Sequence, residues 1–214
     1  SAPQAVLKEL FADPAAAPAG GTGGDAVYRP VAERAELDQW ILNELDRVIV
    51  DARGALDTYE TYPAAREVSG FVDSLSNWYV RRSRARFWAS GWSEDKADAY
   101  WTLYECLIKL ARLAAPFTPF FAEVTWRNLA KPVAGAADSV HLATYPEADG
   151  ATIDHGLLDQ MALTREAVTL GLSARRVENI KVRQPLGLCE LVVANADQRA
   201  ALEKHLDLIQ EELN

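Results

Sequence analysis

Leu37-Asp38-Gln39-Trp40-Ile41-Leu42-Asn43-Glu44-Leu45-Asp46-Arg47-Val48-Ile49-Val50-Asp51-Ala52-Arg53-Gly54-Ala55-Leu56 sets Leu37, Ile41, Leu45, Val48, Ala52 and Leu56 three and four residues apart. At 3.6 residues per turn these six fall in an arc of about 100°, the apolar stripe of a helix expected over 35–59. Gly54 weakens that helix without stopping it. Tyr62-Pro63 marks the next start, since proline is tolerated in a first helical turn. A second helix is expected over 63–90, with Val68, Phe71, Val72, Leu75 and Tyr79 as its stripe and Gly91 at its C-terminal end. Ser93-Glu94-Asp95 opens a third: a capping hydroxyl followed by acids that suit the positive end of the helix dipole. It runs to about Ala115 with Trp101, Tyr104, Leu107, Ile108, Ala111 and Ala114 in a broad arc, so it should be the most buried of the set, with Cys106 as a small core residue.

Pro116 and Pro119 precede a shorter fourth helix, Phe120 to about Ala130. Residues 131–150 read as loop, with a β-flavoured piece at Val140-His141-Leu142. A fifth helix is expected from Gly156 to Glu178 with Leu157, Met161, Val168 and Leu172 inward. Leu188 to Val193 is the one good strand candidate, bounded by Gly187 and Asn195. Asn195 with Gln198 forms a capping-box signature, so a final helix should run to Asn214. Short connections between the first four helices imply an antiparallel bundle over 35–150, followed by a small α+β extension over 151–214. Residues 1–34 precede them: a short helix at 1–11, then the Pro/Gly/Ala-rich stretch 12–24, a linker by composition. The fold class expected is therefore mainly α.

The 214 residues are long enough to bury a core. No apolar run reaches the roughly 18 residues that span a bilayer, and the N-terminus has no basic, then apolar, leader pattern. Cys106 and Cys189 are the only cysteines and form no C-x-x-C unit, so neither a zinc site nor a disulfide framework is expected, and the compartment should be reducing and cytoplasmic. No G-x-x-x-x-G-K-[ST] or G-x-G-x-x-G phosphate loop is present. His141, His155 and His205 lie in separate segments, where surface or capping roles are the ordinary expectation. No catalytic residue, metal ligand or cofactor of its own is expected for this chain.

Charge distribution is more informative than its total. The net formal charge is −9, which taken alone argues against a nucleic-acid partner. Yet Arg81, Arg82, Arg84 and Arg86 stand in a stretch with no acid between Asp73 and Glu94. The rest of the chain then holds 18 basic residues against 31 acidic ones, or −13. Guanidinium suits bidentate phosphate contact and stacking. On a helical wheel Arg82 and Arg86 continue the apolar stripe, while Arg81, Arg84 and Trp88 lie opposite. For the inward pair, ion pairs locking the end of the bundle compete evenly with contact to a ligand. For the outward pair a solvated face competes with phosphate contact. Trp78, Trp88 and Trp92 are expected as core or cover residues. A second cluster, Arg175, Arg176, Lys181 and Arg183, is interrupted by one acid, Glu178. Entering a strand, Lys181 and Arg183 would share a face, either as a charge-protected edge or as phosphate contacts.

Five segments together resemble the isoleucyl-tRNA synthetases. Ser76-Asn77-Trp78-Tyr79 with Arg81-Arg82-Ser83-Arg84-Ala85-Arg86-Phe87-Trp88 is similar to the signature helix of their anticodon-binding bundle. Ala115-Pro116-Phe117-Thr118-Pro119-Phe120 with Glu123 and Trp126 resembles the segment that follows. Ser139-Val140-His141-Leu142 with Tyr145-Pro146-Glu147 is similar to the stretch closing the bundle. Lys181-Val182-Arg183-Gln184-Pro185-Leu186 resembles an element of the C-terminal junction, and Leu37-Asp38-Gln39-Trp40-Ile41-Leu42 the first bundle helix. The likeness covers about 35–214. Pro-Phe-x-Pro pieces are shared with the valyl and leucyl enzymes; the arginine-rich helix together with the KVRQPL element points to the isoleucyl branch. The resemblance implies the tRNA-binding part of a class I ligase, with tRNA-Ile and the catalytic domain of the same polypeptide as partners, no membrane, and a monomer. The parent enzyme would use ATP and Mg²⁺. Its catalytic Rossmann fold with HIGH and KMSKS motifs, its editing domain and the terminal zinc-binding piece of some members have no counterpart in these residues. The competing expectation is an interdomain helical module that packs on the catalytic domain, with little RNA contact of its own.

Overall fold

The computed structural model describes residues 28–130 and 136–214. The helix expected at 1–11 and the linker at 12–24 lie outside the described residues. The chain divides into two compact units, the first ending at Ile153 and the second beginning at Asp154.

The first unit is helical. After a 3₁₀ turn at Val31–Glu33, helix α1 spans Glu36–Asp57 and α2 spans Thr61–Asp73. Ser74–Val80 continues α2 as a widened π-helical stretch, and a turn at Ser83 leads into the short α3, Arg84–Trp88. Helix α4 is Glu94–Ala114 and α5 is Pro119–Ala130. Apolar periodicity places these helices close to expectation. Ile41, Leu45, Val48 and Ala52 of α1 are fully buried, together with Trp40 and Ile49. Leu37 and Leu56, at the stripe's ends, are only half-buried, and Asp38 is buried in their stead.

Helix α1 ends in a Schellman motif. Glu60 N–H bonds the Ala55 carbonyl (2.8 Å) and Tyr59 N–H bonds that of Leu56 (3.0 Å), with Tyr59 itself left-handed at φ 63°. Ser93 caps α4 as expected, accepting from Lys96 N–H at 3.1 Å. Ile108 and Ala111 of α4 pack against Ala122, Trp126 and Ala130 of α5 and against Val140.

Two elements of the first unit differ from the sequence reading. The 63–90 segment is not one regular helix, because the π stretch widens it just where Leu75, Trp78 and Tyr79 turn inward together. Val140–Leu142 is a 3₁₀ turn rather than β. Ser139 Oγ accepts from His141 N–H, and the Val140 N–H donates to Glu123, so these polar groups are used locally.

In the second unit α6 spans His155–Val177, α7 Ala196–Lys204 and α8 Leu206–Leu213. Leu157, Met161 and Val168 of α6 are buried as expected, whereas Leu172 is only half-buried. Glycine at 171 lets α8 approach: a Cβ there would lie 2.6 Å from Leu213. The Asn195 cap forms, Asn195 Oδ1 accepting from Gln198 N–H while the Gln198 side chain accepts from Ala194 N–H. The single final helix expected is two, broken at His205.

The α+β extension is corrected: no strand occurs among the described residues, and Leu188–Val193 has no regular structure, exposed up to Val192 with Val193 half-buried. A strand needs a ladder partner about 4.8 Å away, and none of the described residues supplies one. Lys181 and Arg183 therefore lie in a turn-rich, exposed segment rather than on a strand face.

Candidate nucleic-acid interface

The arginine-rich helix carries two sets of side chains with different work. Arg86 turns inward at the end of the bundle. Its Nη1 and Nη2 donate to the two carboxylate oxygens of Asp38, at 2.8 and 2.6 Å. Asp38 has no exposed surface, and it also accepts from the Tyr79 hydroxyl at 2.6 Å. Arg86 Nε meets the Asp95 carboxylate at 2.8 Å. Burial works against the Arg86 charge, but the hydrogen bonds and charge of Asp38 outweigh it, so the guanidinium is held more firmly protonated than usual. Burial, reinforced by Asp38, pushes the Tyr79 phenol far up. One bidentate pair thus ties α1, the π stretch, α3 and the start of α4. Arg82 is half-buried.

The carboxylate Arg86 meets has a legible position. Asp38, Ile41, Leu45, Val48 and Ala52 run at spacings of three and four, so Asp38 is an acid standing on the apolar stripe. Such an acid demands a cation within reach, and Arg86, on the core-facing stripe of the second expected helix, is that cation.

A second buried network supports the neighbouring helix. Arg34 donates to Glu105 and to the Thr102 hydroxyl, both at 2.8 Å, and lies over the Tyr28 ring. Arg29 pairs with buried Asp98 at 3.1 Å and with Glu94 at 3.0 Å. Burial pushes the Asp98 carboxyl up, and the neighbouring charges of Arg29 and Arg34 oppose it. These residues of 28–34 lie just ahead of α1, where a helical periodicity gives no hint of them.

The outward set is different. Arg81, Arg84 and Trp88 are exposed, Trp88 to 82%. Arg81 Nε donates to the Asn77 carbonyl at 2.7 Å, which ties its exposed side chain to the preceding turn of its own helix. Trp78 is buried as expected, whereas Trp88 and Trp92 are not core residues. Trp92 and Phe87 both pack on Tyr100, with ring centroids 5.7 and 5.1 Å away, and Lys96 Nζ sits 5.4 Å from the Trp92 centroid. The acids that bound the stretch are each engaged: Asp73 accepts from the Asn77 side chain, Glu94 pairs with Arg29 and Asp95 with Arg86. The outcome is a surface of positive charge and aromatic rings on an acidic chain.

Glu123 and Trp126 in α5 shape the opposite end of this unit's second half. Glu123 accepts from Ser139 Oγ (2.8 Å), Val140 N–H (2.9 Å) and Arg127 Nε (2.6 Å); Trp126 Nε1 donates to the Ala137 carbonyl at 2.8 Å. Both therefore hold the chain that closes the bundle.

The second basic cluster also splits. Arg175 is buried, and its guanidinium donates to the main-chain oxygens of Lys181 (3.1 Å), Gln184 (2.9 Å), Leu213 and Asn214 (3.1 Å). It fastens the turn after α6 to the end of α8. Asn179, left-handed at φ 55°, ends α6 in a Schellman motif, with Ile180 N–H to the Arg175 carbonyl at 2.8 Å. Arg176, Lys181 and Arg183 are exposed. Cys106 is buried, its thiol pushed up by burial, and Cys189 is exposed; both are free. No helix of the described residues is long and apolar enough to cross a membrane.

The chain that builds this helical bundle and its arginine helix belongs to the anticodon-binding domain family of tRNA ligases, whose pattern matches residues 38–192. Within it the chain matches a stretch of the isoleucine enzymes. It is 47% identical over 182 residues to the isoleucine–tRNA ligase of Dehalococcoides mccartyi, covering 84% of this chain and 18% of that protein. Against the isoleucine–tRNA ligase of Thermus thermophilus identity is 43%, over 86% of this chain and 18% of the relative. Against that of Thermobifida fusca it is 45%, over 83% and 17%. The chain thus spans less than a fifth of the length of these relatives.

Proposed function

We propose that this chain is the part of an isoleucine–tRNA ligase that binds tRNA-Ile along its anticodon stem and loop. The observation that carries it is the exposure of Arg81 and Arg84 in a stretch free of acids from 74 to 93, on a chain of net charge −9. Exposed guanidiniums would hold phosphates and so set position, leaving base reading to a few side chains near the loop. Arg176, Lys181 and Arg183 are the candidates for phosphate contact in the second unit. Arg86 and Arg175 serve the fold, positioning the elements that carry the exposed arginines. Arg82, half-buried beside them, stays a candidate contact. Adenylate formation with ATP and Mg²⁺ would belong to a catalytic domain of the same polypeptide, in a monomeric cytoplasmic enzyme, with no catalytic site in these residues.

A second reading is favoured by one observation. Arg86 is paired with buried Asp38, as expected of a module whose arginine helix is built to hold the bundle end against another domain. Titration of tRNA-Ile at two salt concentrations separates the two. Each phosphate contact contributes about 0.7–0.9 to the slope of log affinity on log salt. Arg81→Glu/Arg84→Glu should weaken binding and flatten the slope by roughly 1.4–1.8, the share of two phosphates. Equal binding by that variant would remove the helix from the RNA interface and leave the interdomain reading.

A further inference from the structure

Trp88 is the most exposed tryptophan among the described residues of the first unit. It is 82% exposed on a five-residue helix, while its neighbours Phe87 and Trp92 both rest on Tyr100. An indole costs free energy to leave in water, and a ring of this size is ordinarily covered. Arg84 lies four residues before Trp88 on the same short helix, hence on the same face. The face they share therefore offers a flat ring and a guanidinium side by side, with Arg81 exposed one turn earlier. No acid is present from 74 to 93, and the two acids that follow are held by Arg29 and Arg86.

Those observations select one occupant. A bare apolar ring alone would suit a protein surface, but a ring beside exposed arginines, in a stretch whose sequence holds no acid, is complementary to a polyanion with π faces. We infer that Trp88 is a stacking platform for an unpaired RNA base, with Arg84 and Arg81 holding the phosphates beside it. A base within a duplex has its faces covered by its neighbours, so the platform takes a looped-out or single-stranded nucleotide. Any of the bases has a π face, so the contact adds affinity for unpaired RNA without choosing a sequence. This deepens the tRNA-binding reading above and rests on it.

The test uses the 214-residue chain and two labelled RNAs of equal charge: a hairpin with the anticodon stem and loop of tRNA-Ile, and a fully paired duplex. Affinity is read by fluorescence anisotropy at two salt concentrations. Trp88→Ala should weaken the hairpin about tenfold, the scale of losing one base–ring stack. It should leave the duplex within about twofold, and leave the hairpin's salt slope unchanged, because an indole neutralises no phosphate. Trp88→Tyr, which keeps a ring, should restore most of the loss. Arg84→Ala should instead lower the slope by about 0.7–0.9. Helical content is checked for each variant by circular dichroism, and an exposed site is not expected to unfold the chain. If Trp88→Ala binds the hairpin as the parent does while Arg81→Glu/Arg84→Glu loses affinity, stacking is overturned, the tRNA reading stands and the indole is left to a protein surface. Equal loss on hairpin and duplex overturns stacking as well. If the parent and Arg81→Glu/Arg84→Glu bind both RNAs alike, the reading of this face as an RNA surface fails and the platform with it.

Discussion

Arg86, half-buried, and Arg175, buried, are the inward arginines of the two basic clusters, and the two units hold them by different chemistry. In the first unit Arg86 meets side-chain carboxylates, Asp38 in bidentate fashion and Asp95 at Nε. In the second unit Arg175 meets main-chain oxygens of two chain segments, the turn at 181–184 and the end of α8. A carboxylate pair concentrates its energy in one partner, so removing Asp38 leaves a half-buried charge with only the exposed Asp95 carboxylate to answer it. A set of main-chain contacts spreads the energy over several weaker bonds, and its partners cannot be mutated away. The cation in the first unit is therefore vulnerable from the outside of its own helix, through Asp38. In the second unit vulnerability lies in Arg175 itself. In both, one arginine of the cluster is withdrawn into the fold, and the remaining basic side chains at the surface are presented by the element it anchors.

The largest effect expected is Asp38→Ala, which should destabilise the first unit by about 3–5 kcal/mol in urea unfolding. Asp38→Leu/Arg86→Met should recover most of this, because it removes both charges and leaves the Tyr79 hydroxyl within 3.2 Å of the Ala99 carbonyl. A double variant as unstable as Asp38→Ala would mean that the pair holds more than its own charges. Arg175→Met should cost about 2–3 kcal/mol, the loss of charge-assisted bonds partly offset by its apolar stem. Arg175→Lys should not rescue it, since a compact ammonium cannot reach two chain segments as a planar fork does. Amide exchange in α8 is the direct readout: it should accelerate in Arg175→Met and stay unchanged in Asp38→Ala. Arg84→Ala is the control for both, expected within about 0.5 kcal/mol because the side chain is exposed.

This contrast also shows how much a sequence can carry. The helices were legible from Ile41, Leu45, Val48 and Ala52 and their counterparts, since burial imposes a 3.6-residue period whatever the chain does elsewhere. The Ser93 and Asn195 caps were legible because their partners are three residues away. The inward turn of Arg86 and the outward turn of Arg84 followed from the wheel. Arg175 was not legible as an anchor: its partners at Leu213 and Asn214 are 38 and 39 residues distant, and main-chain oxygens leave no side-chain signal. The π stretch leaves none either, since its hydrogen-bond shift is compatible with ordinary helix formers. The strand at 188–193 had the composition of a strand, but pairing depends on a second segment, and composition cannot supply it. Of the candidate site, the clustering of arginines is legible, and their division between anchoring and exposure only in part, because the wheel sets Arg82 and Arg86 alike on the stripe and does not say which of them meets Asp38.

Carboxylate ties also make the first unit sensitive to acid, and Glu123 is the place to measure it. Partial desolvation pushes its carboxyl up, but the Ser139 hydroxyl, the Val140 N–H and Arg127 outweigh this and hold it below its ordinary 4.5. A carboxylate that ionises more easily when folded adds stability that is complete above the unfolded value and is lost as the pH falls through the folded one. The melting temperature of the native chain should therefore exceed that of Glu123→Gln by a constant margin from pH 6 to 8, and the margin should shrink below about 4.5. A margin independent of pH down to about 3 would show that Glu123 holds the 139–140 turn by shape, with its charge irrelevant.

The smallest effect separates the two units once more, at their helix ends. Both α1 and α6 close with a left-handed residue, Tyr59 at φ 63° and Asn179 at φ 55°. Asparagine tolerates that region and tyrosine does so poorly, because a Cβ crowds the backbone there. Tyr59 is 92% exposed, so its ring contributes little packing to offset the strain. Tyr59→Gly should accordingly raise stability by about 0.5–1 kcal/mol, while Asn179→Gly should change it by a few tenths. Tyr59→Ala keeps the Cβ and should give no gain, which separates backbone relief from loss of an exposed ring. If Tyr59→Ala stabilises as much as Tyr59→Gly, the exposed ring itself is the liability, and the strain at the end of α1 is not.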